Sequence, residues 1–80
     1  MTIVIETNAL DASLIEQTIK KSLSEYHLSI SSEPLVFDDK AYHYYSGTDQ
    51  KDPGAIIQEL LQLPGINAAY VKPEGVPPSI

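Results

Sequence analysis

LVFDDKAYHYY, residues 35–45, is the stretch on which the reading of this chain turns. Leu35-Val36-Phe37 and Ala41-Tyr42-His43-Tyr44-Tyr45 are extended, aromatic-rich runs, and Asp38-Asp39-Lys40 separates them. Two such runs around a short Asp-rich turn read as a β-hairpin. Its first arm reaches back to residues 27–31, where Leu28 and Ile30 stand between polar neighbours. Pro34 cannot donate to a ladder, so it marks a bulge, an edge or the start of the strand proper.

A helix is predicted on each side of the hairpin. Upstream, Leu14, Ile15, Thr18, Ile19, Ser22, Leu23 and Tyr26 recur at intervals of one, three and four, a single stripe along one face. Asn8 or Asp11 is a candidate cap, and Ser13 with Glu16 a possible capping box. Downstream, residues 46–51 read as a loop. Asp52-Pro53 then supplies a cap and a proline at the first helical position. Ile56, Ile57, Leu60, Leu61 and Leu63 form the second stripe, which Pro64-Gly65 stops.

A strand is predicted at each end. Thr2 to Thr7 is β-branched and apolar on both faces, with Ile3 and Ile5 opposed to Val4, as suits an inner strand. Residues 66–71 alternate Ile66, Ala68 and Tyr70 against Asn67, Ala69 and Val71. The order strand, helix, strand, strand, helix, strand predicts an α+β fold: a ferredoxin-like βαββαβ sandwich, with both helices on one face of a four-stranded antiparallel sheet. Right-handed crossovers put the first and third strands in the middle. The domain is expected to span residues 1–72, followed by an extended proline-rich tail, 73–80.

Composition narrows function mainly by exclusion. Eighty residues with 42% hydrophobic content make one small packed domain. The absence of cysteine removes disulfides and thiolate chemistry. The net charge is −6, from eleven acids against five lysines and no arginine, which argues against nucleic acid and against anionic membranes. MTIVIETN has no basic region before its apolar run, so it reads as a first strand, and the expected location is cytoplasmic.

Catalytic patterns are not evident. His27 and His43 read as surface residues, since no spacing within one element makes them a metal pair. Asp38-Asp39 reads as a turn. The serines lack nucleophile-elbow glycines, and four glycines make no phosphate loop. No catalytic, cofactor or metal residues are expected, and the chain is read as no enzyme. Tyr42 and Tyr44 share one strand face while His43 and Tyr45 share the other, so one pair packs under the helices and the other lies on the open sheet face. Exposed tyrosines there suit a protein contact better than RNA, given the charge. Three prolines in residues 72–80 favour extended conformations, either as trailing chain or as a segment that another protein holds.

Leu60, Leu61, Pro64, Ile66, Ala69, Tyr70, Val71 and Pro73 form a helix, a proline turn and a strand that resemble the close of the subtilisin propeptide and protease-inhibitor family. That resemblance implies an open sheet face packed on a protease and a tail lying substrate-like in its cleft. Lys72 replaces the family's usual acid, and Pro77-Pro78 removes ladder donors. The expected function is a protein-interaction module, in its narrower form a protease inhibitor or propeptide-like chaperone. The candidate partner-binding residues are Tyr42, Tyr44, Tyr70, Val76, Pro77, Pro78 and Ile80. Alternatives are an ACT-like small-molecule-binding regulatory domain, dimeric through its edge strands, or an accessory subunit of a larger assembly.

Overall fold

The hairpin turn fixes the register of the sheet. In the computed structural model, which describes residues 1–72, Asp38 and Asp39 have φ of 50° and 66°. Two left-handed residues make the primed turn whose twist matches that of paired strands, and Asp tolerates that conformation better than most residues. The turn joins β2 (Leu28–Phe37) to β3 (Lys40–Gly47). Before them come β1 (Thr2–Asn8), a 3₁₀ turn (Ala9–Asp11) and α1 (Ala12–Ser24); after them come α2 (Pro53–Leu61) and β4 (Ile66–Lys72).

The sheet order is β2-β3-β1-β4, every neighbouring pair antiparallel. This is the ferredoxin-like arrangement, with β1 and β3 inside as the crossover rule requires. Residues on one sheet face meet the helices: Ile3 and Ile5 of β1, Leu28 of β2 and Tyr45 of β3 pack with Ile15, Ile19 and Leu23 of α1 and with Ile56 and Leu60 of α2. Burying a side chain of this size contributes roughly 1.5–3 kcal/mol.

Both helices present a narrower apolar line than the sequence predicts. In α1 the buried residues are Ile15, Ile19 and Leu23, whereas Leu14 is exposed. Successive helical residues are rotated by about 100°, and the sheet receives one residue per turn. Tyr26 falls beyond the helix, and its hydroxyl donates to Glu59 Oε2 at 2.7 Å. Neither Asn8 nor Asp11 caps through its side chain. Ser13 lies inside the first turn, so the expected capping box does not form. Asp52 does cap α2, its Oδ1 accepting from Ala55 N at 3.2 Å, with Pro53 next. Gly65, at φ 90°, then turns the chain against Ile15.

Two irregularities reset which side chains face where. Along β2 the register shifts between Ile30 and Ser32 and again between Ser32 and Leu35, so Pro34 sits in a bulged stretch of an edge strand. Along β4, Thr7 pairs with Ile66 but Glu6 with Ala68. That extra residue breaks the simple alternation expected for residues 66–71. Ile66 therefore joins Ala69 and Val71 against the core, while Ala68 and Tyr70 remain on the opposite face.

Candidate functional site

The open sheet face is built in rows, because directly paired residues of antiparallel strands share a side. Val4 lies between Tyr44 and Tyr70, and Glu6 between Tyr42 and Ala68. On the far side of β3, Ser32 stands opposite Tyr44, Leu35 opposite Tyr42 and Phe37 opposite Lys40. The middle rows are thus aromatic and apolar. One bounding row holds Ser46, Thr2 and Lys72, and the other holds Lys40 and Asn8, both polar. The face therefore has an aromatic centre and a polar rim.

Exposure follows the same pattern. Val4 is buried, yet Tyr70 remains 51% exposed, Leu35 58% and Phe37 70%. With Val36, Tyr42 and Tyr44 they line a shallow concavity of about 340 Å³. Tyr42 is the polar anchor. Partial desolvation first, and then the charge of Glu6 and a hydrogen bond with its carboxylate, push the Tyr42 hydroxyl above its ordinary pKa. It stays protonated near neutral pH, beside the Glu6 side chain with which it is paired across the strands. At the rim Asn8 Oδ1 accepts from Lys40 Nζ at 3.2 Å and from Asn67 Nδ2 at 2.9 Å.

Of the sequence-predicted binding residues, Tyr42, Tyr44 and Tyr70 are brought together on this face. Val76, Pro77, Pro78 and Ile80 lie outside the described residues. Sequence reasoning missed Leu35 and Phe37. Stepping back from the two-residue turn pairs Phe37 with Lys40, and the pairing of Leu35 with Tyr42 puts both residues on the tyrosine side.

His43 is a correction. It was expected at the surface and is 1% exposed, beneath the helices with Ala41 and Tyr45. Its Nε2 lies 2.9 Å from Thr7 Oγ1, another buried polar group. Desolvation holds the imidazole below its usual pKa, with Glu16 acting in the opposite direction. Neither His43 Nδ1 nor the Tyr45 hydroxyl has a hydrogen-bond partner among the described residues. Burial, with a contribution from Glu16, pushes the Tyr45 pKa up to about 12. His43 and Thr7, both buried, partner each other through this contact within the core. His27 does lie at the surface, at φ 60° just after α1.

Among the described residues no three His, Cys, Asp or Glu side chains gather as metal ligands, and no helix is long and apolar enough to cross a membrane. A second groove, about 450 Å³, lies between α1 and β2, lined by Lys20, Ser24, Leu28, Ser29, Ile30 and Tyr45.

A four-stranded antiparallel sheet with two helices on one face and an aromatic open face defines a small α+β domain of ferredoxin-like class. No family model and no curated protein matches the chain. Among solved structures it is similar to the C-terminal domain of the MgtC protein from Mycobacterium tuberculosis, with a TM-score of 0.56 and 13% identity, covering 86% of this chain and 80% of that one. At that identity the likeness is one of fold.

Proposed function

We propose that this chain is a non-enzymatic protein-interaction module that binds through its open sheet face. One observation carries the reading: Tyr70, Leu35 and Phe37 expose large apolar side chains around half-buried Tyr42 and Tyr44. A sheet whose second face only met water would alternate apolar-in with polar-out. The experiment is affinity capture with the wild type, Tyr70→Glu and Leu35→Ser. A specific partner retained by the wild type and lost by both variants supports the reading; equal retention refutes it.

The narrower form is a protease inhibitor, in which this face packs on the enzyme and residues 75–80 enter its cleft. It predicts inhibition of a subtilisin-type protease at micromolar protein, abolished by deleting residues 75–80. A second reading, a small-molecule-binding domain, is favoured by the groove between α1 and β2, whose volume falls within the range of ligand sites. An amino-acid thermal-shift screen tests it, and a shift suppressed by Ile30→Trp would place the ligand there.

A further inference from the structure

Taking the open face as a binding surface, we infer that its occupant is a second copy of this chain, stacked face to face about a two-fold axis. The area is sufficient. With side chains of this size presenting about 150–250 Å² each, the exposed fractions of Leu35, Phe37 and Tyr70 leave roughly 350 Å² per copy. Two copies give roughly 700 Å², and half-buried Tyr42 and Tyr44 with the rim residues Asn8, Lys40 and Lys72 bring the stack to about 1,000 Å², the threshold of a specific interface.

Charge distribution favours a like partner. The open face carries Glu6, Lys40 and Lys72, a net +1, so the rest of this −6 chain carries −7. Stacking open faces joins the nearly neutral surfaces and leaves the acidic ones in water. A strongly charged partner would find no matching field on this face. Glu6, near the middle, is directly paired with Tyr42 of its own copy and is only partly exposed.

Geometry favours face over edge for β2. Pro34 and two register shifts interrupt the outer ladder of that strand, so an added strand would find few consecutive donors. Flat antiparallel sheets stack about 10 Å apart at a modest angle, and a two-fold axis makes one patch complementary to itself.

The test is sedimentation velocity of the full chain from about 1 to about 100 µM, a range that brackets a weak dimer. The expected species has twice the 8.8 kDa mass of one chain. It should tighten with added salt, because the −7 surfaces repel. Tyr70→Glu and Phe37→Ser should each raise the dissociation constant at least about tenfold with circular dichroism unchanged. Leu14→Ser, an exposed change on the helix side, should leave it unaltered. A monomer throughout, a dimer indifferent to both face variants, or a dimer lost in Leu14→Ser would each overturn the inference. A monomeric wild type that still captures a face-dependent partner would overturn this inference alone and leave the interaction-module reading standing.

Discussion

Replacing Tyr45 by phenylalanine should make this protein more stable, although it removes a polar atom from an aromatic residue in the core. The Tyr45 side chain is 1% exposed among Ile3, Leu28 and the α1 residues, and its hydroxyl finds no partner among the described residues. Stripping water from a hydroxyl without replacing its hydrogen bonds costs roughly 1–3 kcal/mol. Tyr45→Phe deletes that cost and keeps the ring, so nearly the whole penalty should return as stability. In a domain of this size each kcal/mol moves the melting temperature by about 4–8 °C. The assay is urea unfolding at neutral pH with thermal unfolding beside it. A second axis comes from alkali. The native Tyr45 pKa lies near 12 against the ordinary 10.0, so the folded state keeps a proton that the unfolded chain releases. Wild-type stability from this group is full below pH 10 and declines as pH rises towards 12, and Tyr45→Phe should lack that part of the decline. Destabilisation by more than about 1 kcal/mol at neutral pH would refute the reasoning, because it would mean that the hydroxyl is satisfied in the folded protein.

Acid should act through His43. Its native pKa lies below the ordinary 6.5, so the unfolded chain binds more protons as pH falls. Stability from this group is complete above pH 6.5 and is lost below it towards the native pKa, and urea midpoints of wild type minus His43→Leu across that window should show the slope. Asp52→Ala should cost about 1 kcal/mol through the lost α2 cap, measured by chemical denaturation, while Asp52→Asn should cost much less. Gly65→Ala should cost at least 1 kcal/mol, since φ is 90° and the added Cβ would meet Ile15 Cγ1 at 3.1 Å. Gly47→Ala should be worse in refolding yield and melting temperature, because there the Cβ meets the backbone oxygen of His27, which has no rotamer by which to retreat.

Element order was legible because the signals were local. The Asp38-Asp39 turn, the Asp52-Pro53 start and the Pro64-Gly65 stop each act within four residues, and together they leave one economical topology. Side-chain facing was legible only where strands are regular. Tyr70 was placed by its own strand's alternation, but Ile66 was misplaced by the bulge that pairs Glu6 and Thr7 with Ala68 and Ile66. His43 was misread because its burial depends on Thr7, thirty-six residues away, which supplies the hydrogen bond that makes it tolerable. Leu35 and Phe37 were read only as a hairpin arm, because their facing is set by pairing with Tyr42 and Lys40 across the turn and by the register shifts of β2.

The central place of β1 has a consequence for how the chain comes into being. Its first strand is flanked by β3 and by its last strand, with Ile5 paired to both His43 and Ala69. During synthesis β1 emerges before both of its neighbours and waits for β4 some sixty residues later, while both of its faces stay apolar. Until β4 docks, β1 is an inner strand with a bare flank, the kind of surface that recruits stray strands. Ile66–Lys72 therefore acts as a latch: release of β4, by proteolysis or premature termination, should convert a well-behaved domain into an aggregating one without disturbing a single helix residue.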